Sequence, residues 1–141
     1  MAITYFSSLE DAEVVDVEFV GTEGSIAPMR LLVDSGFTGE SSCILPPHVA
    51  NLVLVPVPRS ETAGALGGIQ DRGWVVCRVP GVSFEKMMIA IFADISPLCL
   101  PLEADGMVGL SFLRHFARWG AERAADRQWR FFLEYTAGNR G

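Results

Sequence analysis

Short apolar runs separated by turn residues continue through most of the sequence, and they limit the folds open to it. Val15, Val17 and Phe19 alternate with Asp16 and Glu18, and a glycine-containing turn then leads into the next apolar run, residues 29–33. Alternation with a period of two is typical of a strand with one buried face, and glycine or proline ends such strands. The sequence therefore predicts an all-β domain of short strands.

The second half of the chain follows the same pattern, with one exception. Residues 74–79 and 84–92 are apolar runs of strand length, and residues 128–135 form a final strand. Residues 107–109 form a short buried strand, and residues 110–116 carry apolar side chains at helical spacing. We therefore expect a small closed or orthogonally packed barrel with one short helix near the C-terminus.

Length and hydropathy indicate one domain with a partner. The 141 residues suit a single domain, predicted over residues 1–141 with a core at about residues 14–135. Half of the residues are hydrophobic, and the mean hydropathy is +0.31. The chain is thus rich in apolar residues for a small monomer, which indicates that some apolar surface is buried against another subunit.

Charge and cysteine content exclude several classes of protein. The net charge is −6 without a basic cluster, so nucleic acid is not an expected partner. The most apolar run, residues 87–93, is far shorter than the ~20 residues that span a bilayer, so no membrane partner is expected. The N-terminus lacks the pattern of a secretory signal, and the three cysteines are widely spaced, which favours reduced thiols in the cytoplasm.

The segment with the clearest chemical content is the end of the second strand. Three apolar residues lead directly into Asp34, Ser35 and Gly36. A strand that ends in this way places a carboxylate at a rim, while the hydroxyl can fix the loop and the glycine permits a sharp turn. Taken alone, Asp-Ser-Gly is an ordinary turn sequence.

A second segment, about 70 residues later, makes the first one recognisable as part of a longer pattern. Met107 and Val108 precede Gly109 and then a helix-like stretch. This order resembles the aspartic proteases of the pepsin and retropepsin superfamily, in which an Asp-Thr/Ser-Gly loop is supported by a later hydrophobic–hydrophobic–Gly strand in a ψ-shaped structure. The Val-Asp-Ser-Gly-Phe-Thr-Gly segment resembles the single-lobe prokaryotic members in particular.

The resemblance implies a small retropepsin-like barrel, an activity and a site. Asp34 would be the catalytic carboxylate, supported by Ser35 and Gly36 in its loop and by Met107, Val108 and Gly109 in the ψ-structure. A glycine-tipped flap would close over a peptide or protein substrate, and residues 63–69 lie in the matching interval, with the tip placed at Leu66, Gly67, Gly68 and Ile69.

The family mechanism also implies a homodimer. Aspartic proteases as a class use two facing carboxylates that share one proton, because like charges so close together cannot both ionise. The pair activates a water without a metal or another cofactor. This sequence holds one Asp-Ser-Gly loop, so Asp34 has to meet its own copy across a two-fold axis.

Departures from the family pattern and alternatives to it remain open. Phe37 stands where viral enzymes commonly have alanine, and Leu110 where many have an arginine that supports the dimer. A non-catalytic dimeric binding or scaffold module with the same fold is the alternative function. A cysteine nucleophile, Cys43 with His48 as base, is a weaker hypothesis, and the two histidines lack a metal-binding pattern.

Overall fold

Strands dominate the computed structural model of the protein, which describes residues 1–61 and 66–137. In chain order the strands are β1 (Ala2–Ser7), β2 (Val14–Val20), β3 (Ile26–Val33), β4 (Cys43–Leu45), β5 (Val55–Glu61), β6 (Ile69–Val79), β7 (Phe84–Phe92), β8 (Gly106–Val108), β9 (Arg118–Arg123) and β10 (Trp129–Tyr135). The helical elements in the described ranges are α1 (Leu110–Leu113) and 3-10 turns at Pro47–Leu52 and Ser96–Leu98. None of these helices is long and apolar enough to cross a membrane.

The main sheet closes on itself. Strands β2, β3, β8, β4, β7 and β6 are hydrogen-bonded in that order, and β6 returns to pair with β2. The β3–β8 and β4–β7 pairs are parallel, whereas β4 and β8 run antiparallel. The predicted all-β barrel with one short α-helix near the C-terminus is therefore confirmed.

Strand β6 is longer than its neighbours and changes partner along one edge. Residues Ile69 to Trp74 pair with β5, whereas Val76, Cys77 and Arg78 pair with β2. The opposite edge of β6 pairs with β7 from Asp71 onward. The second half of β6 consequently closes the barrel. Ile69 and Gln70, which pair with β5 but not with β7, extend beyond the barrel together with β5 as a projecting hairpin.

The core is filled by side chains from the barrel strands, from α1 and from β10. The largest fully buried side chains are Phe19, Phe84, Phe112, Leu31, Leu45, Leu113, Leu133, Val14, Val15, Val17, Val75 and Val79. Full burial of a side chain of this kind contributes about 1.5–3 kcal/mol relative to leaving it exposed. The apolar positions that alternate in the sequence, Val15, Val17 and Phe19, are thus among those that face the core.

A second, smaller sheet joins the first strand to the last two, which the sequence pattern did not predict. It has the antiparallel order β1–β10–β9. Arg118 and Arg130 take part in the packing of this sheet. Arg118 bonds the buried carboxylate of Glu134 at 2.9 Å, and the guanidinium of Arg130 lies 3.9 Å from the ring centroid of Tyr5.

Aromatic side chains join this sheet to the barrel and to α1. Phe84 at the start of β7 stacks on Phe116 with a centroid separation of 4.8 Å and meets Tyr135 edge-on at 5.3 Å. The imidazole of His115 also packs edge-on against Phe84, at 5.6 Å. Partial burial and the nearby charge of Lys86 lower the pKa of His115 below its ordinary value of 6.5.

This lowered pKa gives a testable dependence of stability on pH. Folding favours the neutral imidazole of His115, so the unfolded chain takes up this proton first as the pH falls below 6.5. The free energy of unfolding contributed by His115 should therefore decrease on acidification and be fully present only above that pH.

Urea unfolding at about pH 7.5 and about pH 5 measures this contribution. We expect His115→Gln to lose less free energy of unfolding than the wild type between these two pH values. Lys86→Gln should reduce the wild-type loss to a smaller extent, because the charge of Lys86 is the weaker of the two causes of the lowered pKa. An equal loss in wild type and His115→Gln would contradict the assignment to this side chain.

Candidate active site

Asp34 lies directly after β3, at an open rim of the barrel. Its backbone N–H donates to the carbonyl of Val108 at 3.0 Å, so β8 fixes the point at which the chain leaves the sheet. The N–H of Gly36 donates to Asp34 Oδ1 at 2.9 Å, and the N–H of Phe37 donates to the Asp34 carbonyl at 3.1 Å. A carboxylate that accepts a backbone N–H is held in one orientation.

The rest of the carboxylate is open. Asp34 is half-buried, whereas Ser35 and Gly36 are exposed. Within the described residues, Oδ2 of Asp34 accepts no hydrogen bond, and the hydroxyl of Ser35 makes none. The rim therefore presents one carboxylate oxygen to a water, a ligand or another subunit. The expected support of the loop by the Ser35 hydroxyl stays a prediction.

The segment Met107–Gly109 lies beside the Asp34 loop, as the resemblance to the retropepsins implied. Leu32 and Val33 of β3 pair with Met107 and Val108 of β8 in parallel register. The other edge of β8 pairs with β4, and the N–H of Gly109 donates to the Ser42 carbonyl at 3.0 Å. Hydrogen bonds on both edges hold this short strand, so it can act as a rigid support for the loop.

Gly109 is the point of closest approach between the support and the loop. A Cβ atom at this position would overlap the carbonyl oxygen and the ring of Phe37. The N–H of the next residue, Leu110, donates to the same Phe37 carbonyl at 2.9 Å. Glycine is thus required here by close packing of two backbones rather than by an unusual φ angle.

The β5–β6 hairpin contains the segment assigned to the flap. Leu66 and Gly67 are half-buried, and Gly68 and Ile69 are exposed, with Ile69 at 67% exposure. The amide of Gln70 donates to the Gly67 carbonyl at 2.7 Å, and Gly67 and Gly68 both have positive φ angles, of 57° and 72°. Residues 63–65 of the predicted flap lie outside the described residues.

An apolar cluster, here called the rim cluster, connects this hairpin with the Asp34 loop. Its buried members are Ile44, Ile91, Ala93 and Met107, and the partly buried side chains against them are Leu32, Phe37, Leu66, Ile95, Leu98 and Leu100. The cluster was not predicted, because its members come from separate stretches of the chain. It gives the rim an apolar floor beneath the hairpin.

An open cleft of about 890 Å³ lies on the other side of the end of β3. Val33 forms part of its wall, next to Asp34, and the loop from Ser8 to Glu13 forms one side. Glu10 and Asp11 on that side, and Arg127 on the facing turn, form no ion pair with any residue in the described ranges. The cleft therefore carries uncompensated charges of both signs.

The alternative nucleophile is not supported by its surroundings. Cys43 is fully buried in β4, and burial raises the pKa of its thiol to about 12. A thiol with such a pKa is protonated at neutral pH and is a poor nucleophile. His48 lies in the 3-10 turn Pro47–Leu52 and is exposed, with no hydrogen bond to Cys43 among the described residues. Asp34 remains the better candidate.

Comparison with known proteins adds little to this geometry. No protein-family model matches the chain, and no curated protein matches it. Among solved structures, the EIAV protease complexed with the inhibitor HBY-793 is similar, with 17% sequence identity and a TM-score of 0.43 over 77% of this chain and 91% of that chain. A likeness at this level bears on neither activity nor oligomeric state.

Replacement of Gly109 tests the close approach of support and loop. Gly109→Ala should push Phe37 away and lower the free energy of unfolding by about 1–3 kcal/mol, the usual cost of overpacking. Gly120→Ala is the matched control, because a Cβ there would meet only the Phe132 ring, at 3.5 Å, an ordinary contact. Denaturant unfolding of both variants measures the difference, and equal stability would show that the contact with Phe37 is unimportant.

Proposed function

We propose that this protein is an aspartic endopeptidase that acts as a homodimer, with Asp34 of each subunit in one shared active site. The observation that carries the proposal is the position of Asp34. Its backbone is bonded to Val108 at 3.0 Å, and its carboxylate is bonded to Gly36 on one oxygen and open on the other. This is the arrangement that the retropepsin resemblance implies for a catalytic carboxylate.

The second subunit is required by the chemistry. Hydrolysis of a peptide bond by carboxylates alone needs one ionised group as base and one protonated group as acid. Each chain supplies one Asp-Ser-Gly loop. A two-fold contact at the rim brings the two copies of Asp34 together, and the cleft beside Val33, with Glu10 and Asp11 opposite Arg127, can form self-complementary charge contacts across such an axis.

In this dimer the two carboxylates share one proton, because both cannot be ionised at short distance. The ionised Asp34 accepts a proton from a water molecule, whose oxygen attacks the carbonyl carbon of the peptide bond. The protonated Asp34 donates to the carbonyl oxygen as negative charge develops there. The proton gained from water then passes to the leaving nitrogen as the C–N bond breaks, and the second carboxylate takes a proton back from a hydroxyl of the tetrahedral intermediate, which leaves the pair with one shared proton.

The substrate would lie between the hairpin and the rim. An extended peptide placed there would contact the rim cluster, through Leu32 and Phe37 below and Leu66 above. These side chains are apolar, so the peptide should carry an apolar side chain next to the bond that is cleaved.

The buried Cys43 and Cys77 and the exposed Cys99 are all free thiols, which supports a cytoplasmic location.

Asp34→Asn is the direct test of the catalytic role. Asparagine has nearly the same shape and still accepts the Gly36 N–H through its side-chain oxygen, but it cannot take a proton from water. We expect the variant to fold and dimerise like the wild type and to lose peptide hydrolysis by about 1,000-fold or more, roughly the loss of a required general base. A diverse peptide library read by mass spectrometry provides the assay.

Several outcomes of this assay separate the alternatives. The wild type should be most active on the acid side of neutrality, where the pair holds one proton, and a metal chelator should not inhibit it. Equal cleavage by wild type and Asp34→Asn would rule Asp34 out as the catalyst. A folded wild-type dimer that cleaves nothing in the library would favour the binding or scaffold module.

Mixing subunits tests whether the active site is shared. When wild type and Asp34→Asn are unfolded together in equal amounts and refolded, random pairing leaves two intact Asp34 residues in about one quarter of the dimers. Activity should therefore fall to about one quarter of that of the same total amount of wild type, whereas independent monomers would retain about one half. Sedimentation at each mixing ratio provides the control for dimer formation.

A further inference from the structure

Arg72 is buried to an unusual degree for an arginine at the edge of a site. It lies in β6, where it pairs with Val57 of β5 and Ile91 of β7, and only 10% of its side chain is exposed. Arginine is almost never buried without partners, because loss of water around the guanidinium has to be offset by hydrogen bonds. Its contacts therefore indicate what it does.

The guanidinium joins two segments that are distant in sequence. Its Nε donates to the carbonyl of Pro58 in β5 at 3.0 Å, and its Nη1 donates to the carboxylate of Glu40 at 2.7 Å and lies 3.5 Å from the Ser41 hydroxyl. Glu40 and Ser41 belong to the stretch that follows the Asp34 loop and enters β4. One side chain thus connects the hairpin to the active-site segment.

The bond to Pro58 is made where the hairpin ladder is irregular. The β5–β6 register shifts between Val57 and Ser60, so the strands lose regular pairing at Pro58 and Arg59. The β6–β7 pairing begins only at Asp71, one residue before Arg72. Arg72 consequently lies at the base of the part of the hairpin that projects beyond the barrel, where a small change in angle moves the far end most.

We propose that Arg72 is a positioning residue that sets the angle of the β5–β6 hairpin above Asp34 by tying the Pro58 carbonyl to Glu40. The inference rests on the proposed function, since it assigns the hairpin to substrate binding. It goes beyond that function by naming the contact that couples the hairpin to the active-site segment. Peptide binding beneath the hairpin then depends on this contact, although Arg72 itself does not take part in the chemistry.

A second arginine–carboxylate pair in the same hairpin serves as a control. Arg59 Nε donates to Asp71 at 2.6 Å, but both side chains are largely exposed, at 69% and 66%. This pair connects only β5 and β6, and exposed pairs of this kind contribute little. Asp71→Asn removes a charge from the same hairpin without touching the link to Glu40.

The test uses the full-length protein and measures the hairpin directly. We expect Arg72→Met to increase amide hydrogen exchange in residues 55–61 and 66–72 by about tenfold or more in the unliganded protein, with the barrel unchanged. Arg72→Lys should lie between wild type and Arg72→Met, because an ammonium keeps the charge but lacks the planar fork that spans both acceptors. Asp71→Asn should match the wild type.

Kinetics of the same variants test the link to substrate. We expect KM to rise about tenfold in Arg72→Met, with a smaller change in kcat and the same pH profile, since the Asp34 pair is not altered. Glu40→Gln removes the charge of the carboxylate that Arg72 binds, at a side chain that is exposed. It should also increase hydrogen exchange in the hairpin and raise KM. It keeps the test valid if Arg72→Met does not fold.

Some results would overturn the inference. Unchanged exchange in the hairpin of Glu40→Gln and Arg72→Lys, or exchange that rises equally across the barrel, would show that Arg72 does not position the hairpin. An effect of Asp71→Asn as large as that of Arg72→Met would do the same. If the wild type cleaves no peptide, the proposed function fails, and hydrogen exchange alone still decides whether Arg72 holds the hairpin.

Discussion

The insertion of β8 between β3 and β4 is the constraint on which the rest of the structure depends. This strand forms parallel bonds to β3 on one edge and antiparallel bonds to β4 on the other. The carbonyl of Val108 accepts a hydrogen bond from the N–H of Asp34. The N–H of Gly109 donates to the carbonyl of Ser42, which lies in the segment between the Asp34 loop and β4. Without it the barrel would be open at the point where the carboxylate emerges, and the Asp34 loop would have no fixed neighbour.

The change of partner along β6 has an equally direct structural consequence. One edge of a strand can bond only one neighbour at each residue. Because β2 pairs with the second half of this edge, β5 can pair only with the first half, and the start of β6 extends beyond the barrel together with β5. The projecting hairpin is therefore a result of barrel closure. The contacts of Arg72 with Pro58 and Glu40 hold the base of this hairpin against the segment that enters β4.

The rim that results has several features that a single chain leaves open. Asp34 has one bonded and one open oxygen, the rim cluster is apolar but only partly covered, and the adjoining cleft holds charges of both signs that form no ion pair among the described residues. The proposed homodimer, which is based on the position of Asp34, would bring these open features into contact with a second subunit.

The sequence alone indicated the fold class, the approximate positions of most barrel strands and the place of Asp34 at the end of a strand, because period-two alternation and turn residues are local properties of the chain. The starts of β3 and β6 differ from the prediction, at Ile26 rather than residue 29 and at Ile69 rather than residue 74. The resemblance of its Asp-Ser-Gly and Met-Val-Gly segments to the retropepsin motifs implied, in addition, that the two lie together. The sheet that pairs β1 with β10, the rim cluster and the link from Arg72 to Glu40 were decided only by the tertiary structure. Each joins residues far apart in sequence, and neither alternation nor spacing carries information on which distant segments come into contact.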